Sequence, residues 1–198
     1  MKKLKTLALA AATLALAACT TPPAPPGTAA EPWVANARQV ATAVPPKLLN
    51  VLLGEMAKSG PEGAVETCRD QAPALARQAS AESGWSVRRV SLKNRNPKAQ
   101  PDAWERAALQ DFDRRAAAGA APASLERAEL VRGADGQAEL RYMRALPVIE
   151  LCTQCHGTPE KISPAVAAKL KVLYPQDQGV GYQVGEIRGA MTLRKPAP

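Results

Sequence analysis

Apolar residues recur at helical spacing from Pro46 to Lys58, where Leu48, Leu49, Val51, Leu52, Leu53 and Met56 predict a helix that Ser59-Gly60-Pro61 stops. A second helix is predicted over Glu62 to Ser80, with Val65, Cys68, Ala72, Leu75, Ala76 and Ala79 on one face. Cys68 sits in the middle of that stripe. Pro73 removes one backbone donor and frees the carbonyl of Arg69, so a kink or break is expected just after the cysteine. Beyond Gly84 the period changes to two: Trp85, Val87, Arg89 and Ser91 oppose Ser86, Arg88, Val90 and Leu92, which predicts a strand. Asn94 to Pro101 reads as a loop. Asp102 caps a predicted helix to Ala118, with Trp104, Ala108, Leu109 and Phe112 on one side. Strands around Arg127 to Arg132 and Ala138 to Val148, joined by the turn Gly133-Ala134-Asp135-Gly136, form a predicted hairpin. Ser163-Pro164 opens a short helix to Tyr174, and Tyr182 to Arg194 closes the chain as a final strand. The sum is an α+β domain, helices first and an antiparallel sheet later.

The chain opens differently. Lys2, Lys3 and Lys5 precede a Leu- and Ala-rich apolar stretch from Thr6 to Ala18, the layout of a secretory signal peptide. It is shorter than the roughly 20 apolar residues a bilayer span needs. Leu16, Ala17 and Ala18 before Cys19 resemble the bacterial lipobox, in which the leader is cut immediately before a lipid-modified cysteine. Cleavage after Ala15-Leu16-Ala17, with Cys19 a chance residue, is the alternative. Thr20 to Pro32 holds five prolines and a glycine, a composition that forms an extended spacer rather than a core. Residues 1–18 are therefore expected to be a leader, 19–34 a lipidated cysteine and tether, and 35–198 one domain. Anchorage at the periplasmic face is the corresponding localisation. Thr20 in place of aspartate after Cys19 favours the outer membrane over the inner under general lipoprotein sorting.

Charge adds little. The net charge is +8, and the three leader lysines account for three of these, leaving +5 on the remainder. No nucleic-acid motif or base-stacking aromatic cluster accompanies it, so nucleic acid is not an expected partner. An anionic cofactor or an acidic partner explains the charge equally well.

The chemistry lies in Cys152-Thr153-Gln154-Cys155-His156, the C-x-x-C-H haem attachment pattern. Two thiols add across the two vinyl groups of haem, the two-residue gap lets both sulfurs reach one porphyrin edge, and the histidine that follows meets the iron. At this composition the pattern would arise by chance in about 4 of 10,000 such chains. A structural zinc site needs four ligands, and after this motif no second histidine exists and only Cys68 remains as a soft donor. A dithiol redox motif belongs at the start of a helix in a thioredoxin-like βαβ pattern, which is not found. One covalent haem c, held by Cys152 and Cys155 with His156 as axial ligand, is the expected cofactor.

His156 is the only histidine of the chain. Bis-histidine ligation is therefore excluded for a monomer. The second axial position is left to a methionine (Met56, Met143 or Met191), to Cys68, to a weak donor such as lysine, or to water. Cys19 is assigned to lipid and two cysteines to thioethers, so Cys68 has no disulfide partner. A lone cysteine on a buried helical stripe is also an ordinary small core residue.

Several segments together resemble a known family: Ala64-Val-Glu-Thr-Cys68, Arg88-Arg-Val-Ser-Leu-Lys-Asn-Arg-Asn-Pro97, Pro101-Asp-Ala-Trp-Glu105, Cys152-Thr-Gln-Cys-His-Gly157, and Tyr174-Pro through Gly181-Tyr to Gly185-Glu-Ile-Arg-Gly-Ala190. They are similar, in order across most of residues 47–194, to PAS-like c-type haem domains found as free-standing exported proteins and as extracytoplasmic sensor parts of histidine kinases. The resemblance implies a PAS-like fold and axial ligation by the motif histidine and a helical cysteine, which corresponds to Cys68. A thiolate there donates charge to ferric iron and depresses its potential. The chain carries no kinase, dimerisation helix or output module, so signalling is not carried over. Arg88, Arg89, Lys93 and Arg95 are candidate partners of the haem propionates, since guanidinium forks suit carboxylates.

Two functions follow as expectations. The first is a redox or gas sensor, in which Cys68 closes the ferric iron and reduction opens a site for carbon monoxide or nitric oxide, read out by a protein partner. The second is a membrane-tethered electron carrier, which needs little reorganisation between oxidation states. Peroxidase or other enzyme activity is not expected, because no second histidine is available as distal acid and base.

Overall fold

The computed structural model describes residues 31–133 and 135–198. The leader, Cys19 and the spacer up to residue 30 lie outside the described residues. Helix α1 runs Pro32–Ser83, with Gly60 (φ 68°, ψ −178°) as its one non-helical residue. A straight helix of 52 residues would hold its ends ~78 Å apart. Instead Trp85 Nε1 donates to Asn36 Oδ1 at 2.8 Å, and the Trp33 and Trp85 rings lie 6.4 Å apart. The helix is thus a hairpin of arms 32–59 and 61–83, folded back at a backbone angle that only glycine takes without strain.

Three expectations for this region need correction. The first arm begins at Pro32, not Pro46, so residues 32–34, expected in the tether, belong to the domain. Pro45-Pro46 reads as a helix start, yet Val34, Ala37, Ala41 and Val44 form a buried stripe upstream whose packing outweighs the hydrogen bonds the prolines remove. Pro73 leaves the second arm helical, since Arg69 and Asp70 are exposed and water can take the carbonyl it frees.

Strand β1 (Ser86–Val90) follows Gly84, which caps α1 at φ 70° with its N–H on the Ser80 carbonyl. Helix α2 (Ala103–Ala117) starts in a capping box: Glu105 N–H donates to Asp102 Oδ1 at 2.8 Å, and Asp102 N–H to Glu105 Oε2 at 2.9 Å. Strands β2 (Glu126–Arg132) and β3 (Ala138–Pro147) form the predicted hairpin. A single turn, α3 (Thr153–His156), carries the C-x-x-C-H motif, and α4 (Pro164–Leu173) follows with Ser163 as its cap. The final strand β4 is Ile187–Pro196, shorter at its start than the pattern suggests, with Val184 left exposed in the preceding loop.

The sheet is four-stranded and antiparallel, in the order β1-β4-β3-β2, so the last strand lies between the first and third. Both faces are covered, which makes the domain α+β. The first arm of α1 packs on one face through Val34, Ala37, Ala41 and Val44 against Val87, Tyr142, Met191 and Leu193. Helix α2 covers the other through Ala108, Leu109 and Phe112 against Val90, Met143, Ala145 and Ala190. Two of the three candidate methionine ligands, Met143 and Met191, are therefore core residues. Gly189 lets β4 approach β1, since a Cβ there would overlap the Val90 carbonyl. A third cluster, Val65 with Val166 and Leu170, ties the second arm of α1 to α4. Among the described residues no helix is long and apolar enough to cross a membrane.

Candidate haem site

Strand parity sorts the basic residues of β1. Arg88 shares the α2 face with Val90 and pairs with Glu105 at 2.6 Å. Arg89 shares the α1 face with Val87, and its guanidinium lies within electrostatic reach of the Cys68 and Cys152 thiols. No carboxylate or carbonyl is hydrogen-bonded to Arg89 among the described residues. Burial holds its pKa below the ordinary arginine value, with the two cysteines pulling the other way. A half-buried guanidinium without an anionic partner is a costly arrangement that an anion would relieve.

Cys68 lies on the second arm of α1, which meets α3 and α4. Cys68, Cys152 and Cys155 are all free thiols and all half-buried. Burial pushes the Cys68 thiol up, opposed by Arg89 and Arg95, and pushes Cys155 up to about 11. The fold thus brings together Cys68 and the motif that follows it by more than eighty residues.

Arg95 anchors the motif from behind. Its Nε donates to Asp177 Oδ2 at 2.9 Å and its Nη2 to the Cys155 carbonyl at 2.5 Å. Asp177 in turn accepts from the Gly179 N–H at 2.7 Å. Gly179 then presents its carbonyl to His156 Nδ1 at 2.6 Å. The Gly181 and Tyr182 N–H groups bond to the Gly157 and His156 carbonyls, fixing this loop along the motif turn. With Nδ1 donating to Gly179, Nε2 of His156 keeps its lone pair for a metal. Burial and the nearby arginines Arg188 and Arg95 hold the His156 pKa well below its usual value, so the ring is neutral and fit to ligate.

Of the four basic residues singled out in the sequence, Arg88 is committed to α2 and Arg95 to the loop. Lys93 is exposed, 4.9 Å over the Tyr182 ring. Among the described residues, Arg89 alone of the four stands unpartnered beside the thiols. Sequence reasoning passed over Arg188 and Asp177. Arg188 Nε lies 3.0 Å from His156 Nδ1; its only sequence signal was its place in the segment Gly185 to Ala190.

Two surface clefts lie elsewhere. One of about 730 Å³, lined by residues including Leu109, Asp113, Val184 and Ile187, opens on the α2 side, and one of about 370 Å³ lies beside Thr158 and Lys161. None of the three cysteines nor His156 lines either. The donor set rather than cavity size marks the site. Among the described residues no group of three or more His, Cys, Asp or Glu side chains is arranged to hold a bare metal ion.

A family model described as Tll0287-like matches residues 26–196. Among solved structures, the cyanobacterial heme-protein Tll0287 aligns with a TM-score of 0.58 and 24% identity, covering 84% of this chain and 93% of that one. At that identity the likeness speaks for the fold. No curated protein matches the chain. The family match takes in both arms of α1, the whole sheet, Cys68 and the C-x-x-C-H turn, and the chain belongs to the Tll0287-like family.

Proposed function

We propose that this protein carries one haem c, bound through thioethers at Cys152 and Cys155, with His156 and Cys68 as axial ligands, and works as a redox or small-gas sensor. The observation that carries the reading is the meeting of Cys68 with the C-x-x-C-H turn beside Arg89, a cation without a hydrogen-bond partner among the described residues. The residues fit the group: two thiols at the attachment spacing, an imidazole held through Nδ1 with Nε2 available, and a guanidinium able to take a propionate or offset a thiolate. The solved relative is a haem protein by its description. Bound haem supplies a one-electron iron centre and, where an axial position opens, a site for carbon monoxide or nitric oxide.

The chain's own part is to hold two ligands on separate elements. His156 is fixed by the Gly179 loop, whereas Cys68 rides on the second arm of α1, joined to the first arm at Gly60. Release of Cys68 on reduction would free that arm to shift, and a signalling partner would read the movement. Export and lipid anchorage at Cys19 belong to the same reading, because c-type attachment takes place outside the cytoplasm.

The test is the ultraviolet-visible and electron paramagnetic resonance spectrum of the matured protein, ferric and ferrous, with and without carbon monoxide, beside Cys68→Ala. The expected result is haem that survives denaturing electrophoresis, a low-spin thiolate signature that Cys68→Ala abolishes, and a ferrous form that takes up carbon monoxide. Spectra indifferent to Cys68→Ala, with a low-spin ferrous form that refuses carbon monoxide, would overturn the sensor and leave the tethered electron carrier.

A further inference from the structure

The His156 ring is approached at one nitrogen by two different groups. Nδ1 lies 2.6 Å from the Gly179 carbonyl oxygen and 3.0 Å from Arg188 Nε. A ring nitrogen either donates a proton or accepts one, so Nδ1 serves the carbonyl or the guanidinium, never both. If Nε2 is given to iron, as the proposed function requires, Nδ1 carries the proton and the carbonyl takes it. Arg188 then remains pressed against the back of the ring as a cation that the ring does not satisfy.

Arg188 is held there by other contacts. Its Nη1 donates to Ser91 Oγ at 2.9 Å and to the Lys93 carbonyl at 3.1 Å, and its guanidinium lies 5.4 Å over the Tyr182 ring. A Cβ on residue 179 would overlap Arg188 Nη2, so Gly179 provides the room it occupies. Burial pushes Arg188 down to about 10, with Arg89 adding to the effect, which still leaves it charged at neutral pH. Arg89, Arg95 and Arg188 all act on His156, and Asp177 is the carboxylate paired within this group. Three positive charges against one negative leave the neighbourhood of the ligand strongly cationic.

We propose that Arg188 is a positioning residue for His156: it sets the plane of the imidazole over the iron and places a fixed positive charge behind that ligand, which disfavours the ferric state. This rests on the proposed haem ligation by His156. It assigns the work to a strand residue 32 positions beyond His156, and it opposes the effect of a thiolate at Cys68, which favours ferric iron. A pair of opposed influences of this kind places the midpoint where neither ligand alone would.

The test uses the full haem-loaded protein and reads potential and ferric electron paramagnetic resonance together. Arg188→Gln is expected to raise the oxidised-to-reduced ratio at the parent's midpoint about tenfold, a fall of 59 mV for a one-electron couple, and to change the spread of the g values. Arg188→Lys restores most of the potential, because it keeps the charge, but not the g values, because an ammonium lacks the planar fork. Ser91→Ala loosens Arg188 without touching the 177–182 loop and is expected to move the g values in the same direction as Arg188→Gln. Parent-like g values in Arg188→Gln, or in Ser91→Ala should Arg188→Gln fail to fold, would overturn the proposal. So would a potential change that Arg188→Lys reverses along with every spectral change, since charge alone would then suffice. A parent protein without covalent haem would instead sink the proposed function itself.

Discussion

Glu105 is a fully buried carboxylate, and both of its oxygens are hydrogen-bonded. Arg88 Nη2 reaches Oε2 at 2.6 Å, Arg194 Nη2 reaches Oε1 at 2.7 Å, and Thr192 Oγ1 donates to Oε1 at 2.9 Å. Oε2 also accepts the Asp102 N–H that starts α2. Arg194 Nε has no partner among the described residues, so its guanidinium depends on this carboxylate and on Asp102. Removing one member of a buried ionic group strands the rest, at a cost of about 3–5 kcal/mol. Glu105→Ala is therefore expected to lower unfolding stability by about that amount in urea denaturation, while Glu105→Gln, which keeps the shape and one acceptor, costs less. At this scale the sequence is legible where chemistry is contiguous. Cys152, Cys155 and His156 stand out as candidates by their spacing, whereas Cys68 looks like any small residue of a buried stripe, and only the family resemblance singles it out as a candidate. Arg88 and Arg89 cannot be told apart by composition, but once β1 is recognised they must point to opposite faces, and only one of them can reach the motif. Arg188 gives no such local clue, because its contact with His156 exists only when β4 lies beside β1.

Elements are joined by a second ionic clasp. Glu126 on β2 accepts from Arg38 Nε of α1 at 2.8 Å, from the Tyr142 hydroxyl of β3 at 2.6 Å, and from Arg144 at 3.3 Å. Arg38 is the main reason the Glu126 carboxyl sits below its usual value of 4.5. A carboxyl with a depressed folded-state pKa stabilises fully above its unfolded value, and that contribution disappears as pH falls through the folded one. The attachment of α1 to the sheet edge is thus expected to weaken below pH 4.5. Glu126→Gln should be less stable than the parent at pH 7 yet lose less on acidification, a crossing of trends that thermal melts from pH 7 to pH 3 would reveal. Parallel pH curves for the two proteins would show that the clasp contributes nothing through charge. Sequence patterning reads such elements unevenly. The capping position Asp102, the hairpin around Gly133 to Gly136 and the cap Ser163 follow from local chemistry and agree with the structure. The first arm of α1 escapes, because Pro45-Pro46 presents a strong local start signal, and the alanines upstream bury their surface only against a sheet formed much later in the chain.

At the scale of the whole molecule, that arm decides whether the sheet exists at all. A four-stranded sheet with Tyr142, Met191, Leu193 and Trp85 on one face cannot leave that face in water. Residues 32–46 supply the cover, although they carry none of the candidate ligands. The second arm, which carries Cys68, joins the first in the same cluster, which takes in Leu75 and Ala79 as well as Val40 and Val44. Cys68 can stand beside the motif only if the first arm holds the second against the sheet. Deleting residues 31–46 is therefore expected to abolish the cooperative fold and expose Trp85 and Tyr142, even though every candidate ligand remains in the chain. A chain starting at Glu31 retains both arms of α1 and is the reference for that deletion. Intrinsic fluorescence and circular dichroism melts of the two truncations distinguish the outcomes. A folded deletion with a buried Trp85 signal would mean that the arm is dispensable and that Cys68 is positioned by α3 and α4 alone. Loss of the fold would make residues 32–46 as necessary to the site as the cysteines, and the family match, over residues 26–196, takes in the whole of that arm.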